Sequence, residues 1–189
     1  EFDQAQPFNQ VQLTGEWREY RTLPWMHNHV LAWKLAAGAS AGDSQRYGSF
    51  RLGGSFGDSA YYTLPDEWRS LRGFPSATVW GDWFYLGSME YRLPLAYVDR
   101  EVGLLPFFGR YISLSGFVDV GNAFTDIGQD TDVLGSTRVG AGAELRITTI
   151  IGWAGSANVR LGYAFAVIGE GGHAPGSLDG LYVWLGSSF

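Results

Sequence analysis

Long stretches of this chain alternate apolar and polar residues with period two. That period admits half-buried strands and excludes amphipathic helices, whose apolar positions recur every three or four residues. In the segment 111–120, Ile112, Leu114, Gly116, Val118 and Val120 share one parity, and Tyr111, Ser113, Ser115, Phe117 and Asp119 share the other. The segment 82–97 repeats the pattern, with Trp83, Tyr85, Met89, Tyr91, Leu93, Leu95 and Tyr97 set against Asp82, Ser88, Glu90 and Arg92. Segments 11–20, 30–37, 138–149 and 158–167 obey the same rule. A weaker strand is expected at about 47–56 and a last one at about 181–189. The reading is all-β: about eight sequential antiparallel strands in a single region spanning 1–189, with no helix.

The charges occupy one parity. Glu16, Arg18, Glu90, Arg92, Asp119, Arg138, Glu144, Arg146 and Arg160 all fall opposite the apolar face. In a soluble sandwich or lipocalin-like barrel the charged face meets water and the apolar face makes the core. In a transmembrane β-barrel the charged face lines the lumen and the apolar face meets lipid. Alternation alone fits both. A membrane strand needs roughly 9–11 residues, whereas soluble strands usually run about 5–6. The length of these strands therefore favours the barrel. So do the aromatics near strand ends, namely Trp80, Trp83, Tyr97, Phe107, Phe108, Phe124 and Trp153, since amphipathic rings suit the membrane interface.

Composition narrows the partners. A formal charge of −6 argues against nucleic acid. With no Cys in the chain, disulfides, zinc–thiolate sites and cysteine nucleophiles are excluded. No run approaches the roughly 18 apolar residues of a spanning helix. His27 and His29 share a face if extended but lack a third ligand nearby, so neither a metal nor another cofactor is expected. No nucleophile elbow or Glu/His pairing points to catalysis, and the expectation is a non-enzyme. The glycine-rich 169–176 lacks the strand-to-helix context of a phosphate loop and reads as a flexible connection.

The connections fall near 22–28, 41–46, 57–80, 98–107, 125–136, 150–156 and 169–179, and 57–80 is by far the longest. With Phe189 at the periplasmic rim, 41–46, 98–107 and 150–156 are expected on the periplasmic side. The 57–80 loop and the acidic 125–136 (Asp126, Asp130, Asp132) are then extracellular. An even strand count places both chain ends in the periplasm.

Four ordered motifs carry a resemblance. Leu71-Arg72-Gly73-Phe74 lies in the longest loop; Met89-Glu90-Tyr91-Arg92-Leu93-Pro94-Leu95 follows it; then comes Phe117-Val118-Asp119-Val120-Gly121-Asn122-Ala123-Phe124; and the chain ends Leu181-Tyr182-Val183-Trp184-Leu185-Gly186-Ser187-Ser188-Phe189. Together they resemble the BamA/TamA-like outer-membrane assembly factors and two-partner-secretion transporters, that is, the C-terminal bacterial surface antigen barrel. The resemblance spans about 50–189. It implies that the Arg72-Gly73-Phe74 loop folds back into the barrel and that Arg72 meets Glu90 and Asp119 on the inner wall. Leu181, Val183, Leu185 and Phe189 would form a lipid-facing recognition strand, a pattern that an ordinary closing strand shares.

Relatives of this kind resemble sixteen-stranded barrels. About eight strands here imply the C-terminal half of a longer barrel, or a half that closes by self-association; a minimal eight-stranded relative is the third reading. The implied function is insertion or transport of unfolded outer-membrane or secreted polypeptides in contact with outer-membrane lipids. The alternatives are a barrel anchor or transporter for an attached passenger domain, or a soluble lipocalin-like β-barrel binder.

Overall fold

The computed structural model describes residues 10–42, 50–54, 70–101, 107–125, 135–151 and 155–187, of which 98–101, 107–108, 151, 155–157 and 185–187 are described as backbone only. Among these residues the strands are β1 (Gln10–Thr22), β2 (Val30–Gly42), β3 (Phe50–Leu52), β4 (Val79–Gly81), β5 (Trp83–Glu101), β6 (Phe107–Phe124), β7 (Arg138–Ile151), β8 (Gly155–Ile168) and β9 (Leu181–Ser187). Seven of them form one antiparallel sheet in the order β1-β2-β5-β6-β7-β8-β9, and β3 pairs with β4 in a sheet of two. The only helical element among the described residues is a 3-10 turn at Leu178–Gly180. The chain is therefore all-β and sequentially antiparallel, and the described strands form an open sheet in which β1 and β9 are the edges.

The main-sheet strands are long. The first two have 13 residues each, β5 has 19 and β6 has 18. Their two faces have opposite character. Leu93, Leu114, Leu145, Leu161 and Val183 stand opposite one another in register across β5 to β9 and make a continuous apolar row on the outer face. That row is open: Leu161 is 42% exposed and Val183 65%. The charged parity is the buried one, with Asp119 1% exposed and Glu144 0%. The sheet curls around this polar face, so that Arg18 of β1 and Arg160 of β8 line a single cavity.

The strand expected at 47–56 joins a different sheet. Only Phe50–Leu52 is extended among its described residues, and it pairs with Val79–Gly81, while β2 pairs directly with β5. Phe50 and Leu52 share a parity, as strand residues should, yet both are buried against Leu71, Phe74 and Phe84. Their apolar face enters the protein rather than lying on the outside. The β3–β4 pair therefore covers the inner face and does not extend the wall.

Losing one wall strand changes the layout. Gln10 of β1 pairs with Gly42 of β2, and Trp83 of β5 pairs with both Ala39 and Phe124, so the 41–46 and 125–136 connections leave from the same end of the sheet. The expected placement of 41–46 with 98–107 is thus corrected. Ser187 of β9 pairs with Ala157, at the other end, beside 98–107 and 150–156. β1 starts and β9 finishes at opposite ends of the described sheet; the chain ends themselves, 1–9 and 188–189, lie outside the described residues.

Candidate functional site

The site begins with an anchored loop. Leu71 and Phe74 are buried in the apolar cluster that also holds Phe50, Leu52, Val79 and Phe84, which fixes the backbone on both sides of Arg72. Gly73 has φ +93, and a Cβ there would lie 2.5 Å from the Phe165 carbonyl oxygen. Only glycine takes the chain past β8 so closely in that conformation. The His173 amide donates to the Gly73 carbonyl at 2.9 Å and the Gly54 amide to the Phe74 carbonyl at 2.8 Å. The 169–176 connection, read from sequence as merely flexible, is thus clasped onto the motif loop.

So held, Arg72 turns its guanidinium onto the wall. Nε and Nη2 donate to the two oxygens of Asp119 at 2.7 and 2.8 Å, and the Arg72 amide donates to the same carboxylate at 3.2 Å. This is the planar fork matched to a carboxylate, the strongest geometry open to such a pair. Nη1 donates to Glu144 Oε1 at 3.1 Å and Nη2 to Ser88 Oγ at 3.2 Å. Ser88 donates in turn to Asp119 at 2.6 Å. The Phe117 ring lies 3.5 Å beneath the guanidinium carbon, a desolvated cation–π contact. Burial alone would disfavour the Arg72 cation. The Asp119 carboxylate, then Glu144, outweighs burial and holds the group's pKa above its ordinary value.

Expected and observed partners differ at one carboxylate. Arg72 meets Asp119 as the motif implied, but its second carboxylate is Glu144 rather than Glu90. Register explains the exchange. Ser88 is the residue directly opposite Asp119, whereas Glu90 stands opposite Phe117, whose ring occupies the space under the guanidinium. Glu90 is held instead by Arg92 Nε at 2.9 Å and Arg146 Nη2 at 3.0 Å. Arg146 also donates to Glu144 at 3.1 Å, so Glu90 belongs to the same network one link away. Tyr182 of β9 donates its hydroxyl to Glu144 Oε1 at 2.6 Å, the oxygen that accepts from Arg72. The terminal strand is thereby tied to the loop through one carboxylate.

Leu181 and Val183 face outward and are exposed. The Leu185 side chain and Phe189 lie outside what is described, as do residues 57–69 of the long loop. Among the described residues no group of three or more His, Asp or Glu could hold a metal. Sequence reasoning had Glu144 on the correct face but gave it no partner. Tyr182, Ser88 and Gly140 carried no signal of their own.

Gly140 makes the docking possible. A Cβ at this position on β7 would sit 1.8 Å from the Arg72 carbonyl oxygen. Backbone cannot yield as a flexible side chain can, so Gly140→Ala is expected to push the loop off the wall. The expected loss is about 1–3 kcal/mol, measured from urea unfolding midpoints. Because loop displacement also breaks the Arg72 contacts, Gly140→Ala combined with Arg72→Ala should lose clearly less than the sum of the two.

The chain matches no protein-family model and no curated protein.

Proposed function

We propose that this chain is the C-terminal wall of an outer-membrane β-barrel of the polypeptide-inserting or polypeptide-transporting class, in which the Arg72 loop braces the lumen. The observation that carries this reading is the inversion of the two faces. Carboxylates and guanidinium groups are buried on the inside, and a register-matched row of Leu and Val is exposed on the outside. Water would select the reverse. In a lipid bilayer the outer row meets acyl chains and the strands are long enough to cross. Unpaired edges are costly in lipid, so β1 and β9 pair with further strands in the complete barrel. The Arg-Gly-Phe loop, the Phe-x-Asp-x-Gly strand and their order support the BamA-like assignment within barrels, and no cofactor or covalent step is invoked. The 98–107 and 150–156 turns and the end of β9 lie on the periplasmic side, with the long loop extracellular.

In this reading the protein works mechanically. An incoming polypeptide strand pairs by β-augmentation with the edge of β9 when the closing seam of the barrel opens, while the loop keeps the wall in shape. The test is fractionation of the protein from Gram-negative cells, followed by an assembly assay for a second barrel protein. Recovery in the detergent-extracted outer membrane and loss of assembly in an Arg72→Ala variant are expected. A monodisperse protein in the soluble fraction would sink the membrane reading. Normal assembly by the variant would sink the role of the loop.

A further inference from the structure

The turn between β1 and β2 gathers the chain's soft donors. Of its two Met and three His, one Met and two His stand in the four residues Met26-His27-Asn28-His29. His27 and His29 have no carboxylate or further imidazole beside them in the turn; the donor next to them is a thioether. Backbone contacts hold the turn in shape. The Leu23 amide donates to the His29 carbonyl at 3.0 Å, and the Met26 amide to the Leu23 carbonyl at 3.3 Å. Asn28 has φ +64, the left-handed region that Asn enters more readily than most residues. Met26 and His29 then reach the same point, the Tyr91 hydroxyl on β5. His29 Nδ1 lies 2.6 Å from that oxygen and Met26 Sδ 3.2 Å. The His29 and Tyr91 rings also touch, with centroids 5.7 Å apart. A hydroxyl carries one proton, so it serves the nitrogen or the weakly accepting sulfur, not both.

We infer that Met26 Sδ and His29 Nδ1 bind one soft monovalent cation, Cu(I) or Ag(I), in place of the Tyr91 hydroxyl. Such an ion takes both lone pairs at once. Thioether sulfur selects for Cu(I), and imidazole suits copper as well. The exposed His27 stands on the same turn and is the nearest source of a further nitrogen. Other metals fit poorly. Residues 23–29 contain no carboxylate and no Cys, whereas Ca²⁺ and Mg²⁺ require oxygen ligands and a structural Zn²⁺ site closes on a tetrahedral set of thiolate, imidazole and carboxylate groups. The inference rests on this turn and β5 alone and stands or falls separately from the membrane reading and from the Arg72 network.

The test uses the full chain in non-ionic detergent. Cu(I), kept reduced with ascorbate, is offered in competition with the chromogenic chelator bicinchoninate. The protein is expected to withdraw one equivalent, and X-ray absorption of the complex should show one sulfur neighbour beside nitrogen. Met26→Leu and His29→Gln, made separately, should each weaken binding by at least the roughly tenfold that even an outer-shell partner's loss costs. Met89→Leu, which alters the other Met, should leave the affinity unchanged. Circular dichroism checks that each variant keeps its β-structure; both substitutions fall in a surface turn. Failure to withdraw copper from the chelator overturns the proposal, as does unchanged affinity in either folded turn variant. Equal uptake of Zn²⁺ would overturn the assignment to a soft monovalent ion.

Discussion

Arg72→Ala is expected to destabilise the folded chain by about 3–5 kcal/mol, the loss seen when one member of a buried ion pair is removed. The reason lies in what stays behind. Asp119 and Glu144 are almost fully inaccessible, and without the guanidinium neither charge has enough compensation. Asp119 would keep the Ser88 hydroxyl and the backbone amide of residue 72; Glu144 would keep Tyr182 and Arg146. Urea unfolding in detergent reads the effect directly. Adding Asp119→Asn to Arg72→Ala should recover part of the loss, because it removes the worst of the orphaned charges. A double variant less stable than Arg72→Ala alone would refute this account. Arg72→Lys should fall between, since a point charge cannot reproduce the two parallel bonds to Asp119.

The second large effect is expected on the opposite face. Leu161→Arg places a charge in the middle of the outer Leu–Val row, between Leu145 and Val183. In a bilayer an arginine at mid-depth on a barrel's lipid face costs about 2–4 kcal/mol. On a water-exposed face the same change is within about 0.5 kcal/mol of neutral. Folding titrations into phospholipid vesicles distinguish the two. A near-zero change would mean that the row does not face lipid, whatever its composition.

How much of this was legible in the sequence depended on the distance over which a contact acts. Parity placed Asp119, Glu144 and Arg146 on one face, because a strand's side-chain alternation is purely local. The Arg-Gly-Phe motif pointed Arg72 inward, and the Asp119 partner followed from the strand motif. Glu144 was missed as a partner because it lies two strands beyond the one that follows the loop, and only the curl of the sheet brings it within reach. Glu90 was over-read for the same reason: proximity in sequence to the loop stood in for register, and register put Phe117 there instead. Phe50–Leu52 was misread because an apolar face turned toward lipid and one turned toward a protein core have the same alternation. The Tyr182–Glu144 bond joins two residues whose neighbours give no hint of each other.

The odd number of wall strands among the described residues has a consequence for closure. In an antiparallel sheet of seven, the first and last strands point the same way, so β1 and β9 run in one direction. Setting β9 of one copy beside β1 of another around an axis along the membrane normal would create parallel seams. Bacterial outer-membrane barrels are even-numbered and antiparallel throughout. If the wall belongs to such a barrel, as proposed above, its seven described strands pair antiparallel throughout with an odd number of others and not with a second identical seven. A sixteen-stranded barrel meets that condition, because the remainder it leaves for seven is odd.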